Sequence, residues 1–458
     1  MNVEELYNKQ KNFLNSKKTI EVNERIFLLK KLKSEILNNE DKIYEALEKD
    51  LKKPRFETYA TEIGFLLNEI ELFIKNLRSW SKPEVVSSAL INFPSKDYII
   101  SEPYGMVLVI SPWNYPFQLA LLPAMSAFAA GNNVILKPSE HTPHTSQLVN
   151  DIVNTVFPSD YLGVIQGDAK LASSLLDYKW SYIFFTGSVK VGEIVAKAAA
   201  NHLTPTTLEL GGKSPAIIGK DADIKITSKR IVWGKFLNSG QTCVAPDYLI
   251  VHNSIKDKLV EGLIKRIEYT FGKESNQSKD LTAIVNENHF NRLIRLIDEN
   301  DVIFGGKNDP NKKFIYPTLI DNPNIDSTIM NEEIFGPILP ILTFDKIGEI
   351  DKIIGRNPNP LSLYLFSNDN TFSDEIINRY SFGGGAINDT IVHLANSRLP
   401  FGGIGNSGIG SYHGKASFDL FSHKKSIVKR GIWYDNNLRY APYARKLNIV
   451  RRLMKYLR

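Results

Sequence analysis

Between Met106 and Leu210 the sequence alternates short β-branched or aromatic runs with longer amphipathic stretches, and this alternation constrains the fold most strongly. It is typical of βαβ units, in which helices connect parallel strands. The predicted strands are 106–110, 133–137, 161–165 and 181–185. The predicted helices are 117–130, closed by Gly131, then 145–155 and 169–176. The pattern predicts a parallel sheet of the nucleotide-binding type.

The regions on either side of this alternation have their own patterns. Leu28, Leu29, Leu32 and Ile36 recur at spacings of three and four, which predicts a helical lead-in over residues 1–80. A short strand is predicted near 98–102. Beyond Gly211 a second alternating region has predicted helices at 224–237 and 289–299 and a strand at 362–366.

A chain of 458 residues is expected to form two or three packed domains. The patterns divide it into a helical lead-in that joins the first domain, a strand segment, a nucleotide-binding domain, a second α/β domain and a C-terminal return with a basic tail. The corresponding ranges are 1–80, 81–103, 104–210, 211–400 and 401–458.

Composition excludes several classes of protein. The net charge is +6, and part of it lies in the C-terminal tail rather than on a basic face, so no nucleic-acid partner is expected. The N-terminal residues include Glu4 and Glu5 where a secretory signal would be basic, and no apolar stretch of about 18 residues occurs. These features predict a cytoplasmic protein without a transmembrane segment.

The chain has one cysteine, Cys243, so it cannot form an intramolecular disulfide, and no Cys-His cluster has the spacing of a zinc site. No metal is therefore expected. An isolated cysteine is either an inert buried thiol or a nucleophile. Cys243 follows Gly240 in a polar turn after a predicted helix, which is unlike a structural cysteine.

The last residues form a basic amphipathic pattern. One predicted helical face carries Leu447, Val450, Leu453, Met454 and Leu457, and the opposite face carries Arg451, Arg452, Lys455 and Arg458. Such a helix could lie on an anionic membrane surface, or it could be an ordinary surface helix. The sequence leaves both alternatives open.

Several polar residues follow the predicted strands. Thr186, Gly187 and Ser188 end the strand at 181–185, and Gly192 begins the next helix. Glycine lets the backbone approach a phosphate, and Ser188 can cap a helix whose N-terminus favours an anion. At the end of another strand, Lys137 and Glu140 either hold ribose hydroxyls or form a surface ion pair.

Two further glycine patterns lack the context that nucleotide binding requires. Gly403, Gly405 and Gly408 match G-x-G-x-x-G but do not open a βαβ unit. Gly212-Lys213-Ser214 resembles the end of a P-loop, but Thr207 occupies the position of its first glycine. Neither pattern indicates kinase or ATPase chemistry.

Seven motifs in a fixed order resemble those of the aldehyde dehydrogenase superfamily, specifically its class 3 branch of fatty and aromatic aldehyde dehydrogenases. The resemblance covers nearly the whole chain. The motifs are Pro112-Trp113-Asn114-Tyr115-Pro116, Lys137-Pro138-Ser139-Glu140, Phe185-Thr186-Gly187-Ser188, Leu208-Glu209-Leu210-Gly211-Gly212-Lys213, Gly240-Gln241-Thr242-Cys243, Glu332-Glu333-Ile334-Phe335-Gly336-Pro337 and Pro400-Phe401-Gly402-Gly403.

The resemblance implies an aldehyde dehydrogenase fold, with a Rossmann-like cofactor domain, an α/β catalytic domain and a small β oligomerisation extension at 81–103. It implies that Cys243 is the nucleophile, Glu209 the general base and Asn114 the side-chain donor to the oxyanion. The residues that it assigns to the cofactor are Trp113, Lys137, Glu140, Thr186, Gly187, Ser188, Gly192, Leu210, Glu333 and Phe335.

The same resemblance implies NAD as cofactor, with NADP as a second option, and a homodimer. The expected activity is oxidation of an aliphatic or aromatic aldehyde to the carboxylic acid through a thioester on Cys243. Two alternatives are a relative that passes the acyl group to CoA, against which Glu209 argues, and a non-catalytic protein that retains the fold. The expected substrate-pocket residues are Phe65, Tyr115, Thr242, Phe401 and His413, with 391–394 near the entrance.

Overall fold

Helices fill most of residues 2–80, which confirms the predicted lead-in. The computed structural model describes residues 2–273 and 278–456. Its first helices are α1 (Val3–Asn15), α2 (Val22–Asn38), α3 (Glu40–Leu51), α4 (Arg55–Thr58) and α5 (Gly64–Trp80), with a π-helical turn at Tyr59–Ile63. Leu29, Leu32 and Ile36 are fully buried, where α2 packs against α5. The apolar face predicted from sequence is therefore the face that joins the core.

Two strands, β1 (Glu84–Val86) and β2 (Ser95–Pro103), precede the predicted parallel sheet. The parallel strands are β3 (Met106–Ile110), β4 (Asn133–Lys137), β5 (Leu162–Val164), β6 (Tyr182–Gly187) and β7 (Thr206–Leu210). They lie in the order β7-β6-β3-β4-β5, with a later strand, Gly408–Ile409, antiparallel beside β7. The helices of this region are α6 (Gln118–Ala129), α7 (Pro143–Val156), α8 (Ala169–Leu175) and α9 (Val189–Ala200).

The predicted strands and helices of this region are confirmed, with ends that differ by one or two residues. Strand β6 continues through Thr186 and Gly187, beyond the predicted end at 185, because these residues pair with Glu209 and Leu210 of β7. All five residues of β3 and all five of β4 are buried. Burial on both faces is what a parallel sheet covered by helices requires.

The second alternating region also forms a sheet. Its strands are β8 (Pro215–Ile218), β9 (Tyr248–His252), β10 (Val302–Phe304), β13 (Thr318–Asp321), β14 (Ile338–Phe344), β15 (Ser362–Phe366) and β16 (Gly384–Ile387), in the order β10-β13-β14-β9-β8-β15-β16. A separate pair is formed by β11 (Asn308–Asp309) and β12 (Phe314–Ile315). The helices are α10 (Ile224–Phe236), α11 (Lys256–Phe271), α12 (Glu287–Asp298), α13 (Thr328–Asn331), α14 (Ile347–Ile354) and α15 (Asn370–Arg379).

The C-terminal part of the chain pairs with two earlier strands, β7 and β2. It contains β17 (Gly408–Ile409), α16 (Gly414–Leu420), β18 (Ser422–Arg430) and α17 (Leu447–Tyr456). Strand β18 pairs with β2 along its whole length and completes a three-stranded antiparallel sheet, β1-β2-β18. We call this sheet the β extension. The pairing explains why the short strand predicted near 98–102 is longer in the structure.

Helix α17 confirms the predicted helical tail through Tyr456, whereas Leu457 and Arg458 lie outside the described residues. The apolar side chains of Leu447, Leu453 and Met454 are exposed. Whether this face meets a membrane stays a prediction. Across the described ranges, none of the helices combines the length and apolar character that spanning a membrane demands.

Candidate active site

The carboxyl ends of neighbouring parallel strands bring the predicted residues to one edge of the first sheet. Asn114 follows β3, Lys137 ends β4, Thr186 lies at the end of β6 and Glu209 near the end of β7. These four strands are adjacent in the sheet. In open α/β sheets this edge is where ligands bind.

The loop that carries Cys243 has an unusual backbone. After α10 ends at Phe236, Asn238, Ser239 and Gly240 all have positive φ angles, of 54°, 52° and 73°. A Cβ atom at Gly240 would lie 2.3 Å from the carbonyl oxygen of Gly336. Glycine is therefore required there, because both the φ angle and the close approach exclude a side chain.

Hydrogen bonds connect this loop to the loop after β3. The Asn114 side-chain amide donates to the Gln241 backbone carbonyl at 3.1 Å, and the Asn238 side-chain amide donates to the Asn114 backbone carbonyl at 2.9 Å. The Tyr115 hydroxyl lies 2.6 Å from the Thr242 hydroxyl. An amide nitrogen carries two hydrogens, so Asn114 retains a second N–H for another acceptor.

Glu209 is a buried carboxylate with 3% of its surface exposed. Neither of its oxygens has a hydrogen-bond partner within the described part of the chain. Burial raises its pKa well above the ordinary range of a glutamate. An unpartnered buried carboxylate is costly, so it indicates a group kept for proton transfer rather than for structure.

The Cys243 thiol lies close enough to two carboxylates to be affected by their charge. Burial, followed by the charges of Glu333 and Glu209, raises its pKa to about 12, while the backbone amides of Cys243 and Val244 oppose the shift by hydrogen bonding to the sulfur. The resting side chain is thus a thiol. Loss of this proton to solvent would place a thiolate charge beside the carboxylate charges. Transfer of the proton to a neighbouring carboxylate avoids this repulsion, because the total charge stays the same.

Helix α9 begins directly after β6 in a form that suits a phosphate. Ser188 caps the helix by accepting a hydrogen bond from the Val191 amide at 3.4 Å. A Cβ at Gly192 would lie 2.5 Å from a methyl carbon of Leu210, so glycine allows close packing of helix and strand. The Thr186 hydroxyl is buried and has no partner among residues 2–273 and 278–456. These residues fit the pyrophosphate of a dinucleotide.

Lys137 and Glu140 contact each other at the end of β4. The Lys137 ammonium lies 2.5 Å from a Glu140 carboxylate oxygen, and the Lys137 side chain is 3% exposed. Partial burial alone would raise the pKa of Glu140, but the hydrogen bond from Lys137 lowers it overall. Because the lysine is buried, this is not a surface ion pair. Both the ammonium and the carboxylate can hydrogen bond to ribose hydroxyls.

Aromatic rings from both regions, and a carboxylate from the segment between α13 and β14, complete this edge. The rings of Trp113 and Phe335 meet at 5.3 Å, and His289 lies 5.1 Å from Trp113. The Glu333 carboxylate packs so closely on Gly211 that a Cβ there would lie 1.9 Å from its oxygen. His289 was missed by the sequence analysis, because a histidine at the start of a surface helix carries no motif signal.

A cavity of about 340 Å³ leads to Cys243. It is lined almost entirely by apolar atoms. All five predicted pocket residues, Phe65, Tyr115, Thr242, Phe401 and His413, line it, and so do Ile391, Val392 and Leu394 of the predicted entrance. The structure therefore brings every predicted pocket residue to the same space as the thiol.

The cavity also contains residues that the sequence analysis missed. Phe56, Glu57 and Leu119 line it from the first region, and Trp233 and Leu237 from the second. The Phe56 and Trp233 side chains are 81% and 45% exposed. Both are aromatic residues outside the buried apolar face of a helix, and this position was the sequence signal that could have indicated them as pocket residues.

The two glycine patterns without nucleotide context have structural roles. Gly408 pairs with Glu209 across β17 and β7, where a Cβ would lie 2.3 Å from the Leu208 carbonyl oxygen. The ammonium of Lys213 is buried against Asp247 at 2.5 Å. The first pattern supports the strand that carries the carboxylate, and the second forms an internal ion pair.

Comparison with known proteins agrees with this geometry. A model described as "Aldehyde dehydrogenase family" matches residues 1–427. The 4,4'-diaponeurosporen-aldehyde dehydrogenase of Staphylococcus aureus is 46% identical over 99% of each chain. Aldehyde dehydrogenase family 3 member H1 of Arabidopsis thaliana is 44% identical over 94% of this chain and 90% of the relative. The dimeric NADP-preferring aldehyde dehydrogenase of Mus musculus is 42% identical over 97% and 99%.

A solved structure of Staphylococcus aureus AldH in a substrate-bound state has 46% identity, a TM-score of 0.97 and coverage of 99% of this chain and 100% of its own. The expected fold is therefore confirmed. The family model and the family 3 relatives cover nearly the whole chain, so this protein belongs to the aldehyde dehydrogenase family, in its family 3 branch, and is an NAD(P)-dependent oxidoreductase.

Proposed function

We propose that the protein oxidises an aliphatic or aromatic aldehyde to the carboxylic acid through a thioester on Cys243. The observation that carries the proposal is the position of this thiol, at the wall of an apolar cavity and within the electrostatic influence of a buried carboxylate, Glu209. That carboxylate has no other partner in the described residues. A nucleophile and a base are what covalent oxidation of an aldehyde requires, and an apolar cavity suits a substrate with an apolar body.

The first step is attack of the sulfur on the aldehyde carbon. The thiol proton passes to Glu209, directly or through a water, because the thiol by itself is protonated at neutral pH. A C–S bond forms, and the carbonyl oxygen becomes an oxyanion. The second N–H of the Asn114 amide and the backbone amide of Cys243 donate to that oxygen.

The second step removes a hydride from the substrate carbon. The Lys137–Glu140 pair and the N-terminus of α9 would hold a nicotinamide dinucleotide, which would supply the acceptor for that hydride. The carbonyl re-forms, so Cys243 then carries a thioester. Glu209 first releases the thiol proton to solvent. It then takes a proton from a water that attacks the thioester carbon, the C–S bond breaks to release the acid, and that proton passes to the sulfur to restore the thiol.

We propose NAD as the main cofactor, with NADP as a second option. A Glu140 carboxylate oxygen lies 2.5 Å from the Lys137 ammonium, and both residues are assigned to the ribose. The negative charge of Glu140 would repel the 2'-phosphate of NADP. The ammonium of Lys137 offsets part of that charge. NAD is thus favoured and NADP is the weaker cofactor, in contrast to the mouse relative, which is described as NADP-preferring.

The cavity supports an apolar substrate. The rings of Phe65, Tyr115 and Phe401 line it. Burial of an apolar substrate against these rings is favourable, whereas burial of a charged one is not. The relative from Staphylococcus aureus is named for an aldehyde of 4,4'-diaponeurosporen. We propose that this chain likewise accepts aldehydes with an apolar body.

A panel of straight-chain and aromatic aldehydes, scored by appearance of NADH and NADPH, tests the proposal. We expect kcat/KM to rise with chain length up to the capacity of the cavity, by up to about fourfold for each buried methylene, since each contributes about 0.8 kcal/mol. CoA should leave the rate unchanged. Equal rates for charged and apolar aldehydes would contradict the assigned pocket, and strict dependence on CoA would favour acyl transfer over hydrolysis.

We also propose a cytoplasmic homodimer that forms through the β extension. This sheet and the loop between β1 and β2 leave apolar side chains in water, which is typical of an interface. The exposed residues are Val85, Val86, Leu90, Ile91 and Phe93. The mouse relative is described as dimeric.

Light scattering is expected to give twice the chain mass of 51.7 kDa. Phe93→Asp should shift the mass toward that of the monomer, because it would place a charge in an apolar interface. Tyr269→Asp, at an exposed ring on α11, serves as the control and should leave the mass unchanged. A wild-type mass of one chain would contradict the proposal.

A further inference from the structure

Two carboxylates from the segment between α3 and α5 each hold the backbone of a loop at the candidate active site. The first is Glu62, whose side chain is fully buried. One of its oxygens accepts hydrogen bonds from the backbone amides of Phe117, at 2.9 Å, and Gln118, at 3.3 Å. These amides immediately follow the loop that carries Asn114, so Glu62 fixes the end of that loop.

The second carboxylate is Glu57. Its Oε2 accepts a hydrogen bond from the Asn238 backbone amide at 3.0 Å and another from the Thr282 hydroxyl at 3.2 Å. Asn238 is the first residue of the left-handed stretch that leads to Cys243. Such a backbone persists only when its surroundings hold it in place, and Glu57 supplies one of those contacts.

Lys53 pairs with Glu62 and acts on Glu57 through its charge. Its ammonium lies 2.6 Å from the other oxygen of Glu62, and both side chains are fully buried. It also lies 4.0 Å from the centre of the Tyr115 ring, whose hydroxyl bonds to Thr242 next to the nucleophile. A π-helical turn at Tyr59–Ile63 contains Glu62 and separates α5 from α4, which carries Glu57. Such turns are frequent at functional sites.

We propose that Lys53, Glu57 and Glu62 form a positioning clamp that sets the distance between the Asn114 amide and the Cys243 thiol. The clamp holds one loop through Glu62 and the other through Glu57, and Lys53 balances their charge. This inference rests on the proposed function, because it assigns the clamp to the same thioester chemistry. A misplacement of about 1 Å at a reacting group can cost roughly 100-fold in rate.

The clamp gives the enzyme a pH dependence near neutrality. Burial raises the pKa of Glu57 to about 7, with Asp280 adding to the rise, whereas the charge of Lys53 and the hydrogen bonds from Asn238 and Thr282 oppose it. Tyr115 also faces this carboxylate. The ionised form accepts both hydrogen bonds most strongly, so turnover should rise as the pH increases through about 7 and fall as it decreases.

The experiment compares Glu57→Gln and Glu57→Ala with the wild type. Glu48→Gln, at an exposed carboxylate on α3, is the matched control. Alanine removes the acceptor of the Asn238 amide, and we expect kcat to fall roughly 10- to 100-fold while KM for the aldehyde changes less. Glutamine keeps an uncharged acceptor, so it should restore part of kcat and abolish the rise in turnover near pH 7.

Alkylation of the sole cysteine by iodoacetamide, measured by mass, gives a readout that does not depend on turnover. In the wild type the alkylation rate should also rise as the pH increases through about 7. In Glu57→Gln this rise should be absent, because the loop is no longer held by an ionised carboxylate. The clamp would be overturned if both rates kept the wild-type pH profile, or if the variants changed only KM or only thermal stability. A wild type that alkylates normally but oxidises no aldehyde would instead contradict the proposed function.

Discussion

Replacement of Cys243 by alanine is expected to abolish aldehyde oxidation. Loss of the nucleophile from a covalent mechanism typically lowers turnover by on the order of a millionfold. Alanine removes the atom that bonds to the aldehyde carbon, and the chain has no second cysteine to replace it. Because residues at the carboxyl ends of β4 and β6 are assigned to cofactor binding, affinity for NAD should stay nearly unchanged.

Two measurements check this prediction. Steady-state formation of NADH reports turnover, and quenching of tryptophan fluorescence on titration with NAD reports binding. In the wild type, alkylation by iodoacetamide should add one label per chain and remove activity in parallel, since one thiol is present. Retained turnover in Cys243→Ala, or a labelled wild type that remains active, would remove Cys243 as the nucleophile.

Replacement of Glu209 by glutamine is expected to slow release of the acid by roughly 100- to 10,000-fold, the usual contribution of a general base. Glutamine has nearly the same size but cannot accept a proton from water. Once a thioester forms, it should persist, so NADH should appear in a burst of about one equivalent per chain followed by a slow steady state.

Mass spectrometry of the quenched reaction should show the acyl group on Cys243 in this variant. Glu261→Gln, at an exposed carboxylate on α11, is the control and should react like the wild type. An unchanged steady-state rate in Glu209→Gln would exclude Glu209 as the base. A fall in rate without burst or adduct would place its role before hydride transfer, in removing the thiol proton.

The wild-type pH profile follows from the direction of the Glu209 shift. Burial raises its pKa, and the base is active only when ionised, so release of the acid should increase with pH and be lost as Glu209 gains a proton. In Glu209→Gln this part of the profile should be absent.

Much of the fold was predictable because its elements depend on local sequence. The β-branched runs at Met106–Ile110 and Asn133–Lys137 form strands with the predicted ends, and Ser188 caps α9 as expected. Less regular segments were not predictable in detail. The left-handed stretch before Cys243 depends on contacts with Gly336 and Glu57, which lie far away in the chain.

The candidate site was predictable as a set of residues, through motif order, but not as an environment. The sequence could not show that Glu209 has no hydrogen-bond partner among the residues the structure describes, that Lys137 is buried, or that Phe56 and Trp233 line the cavity. Each of these properties depends on which distant groups exclude water from a side chain.

The order of strands and helices, the positions of the glycines that close contacts require, and the presence of a single thiol all follow from the amino-acid sequence. Local backbone preferences and side-chain periodicity are sufficient for these features. Folding across distant parts of the chain places this thiol at the wall of an apolar cavity, under the charge of a carboxylate that has no hydrogen-bond partner among the described residues. Their protonation and reach depend on burial and packing between residues far apart in sequence, which no local pattern records.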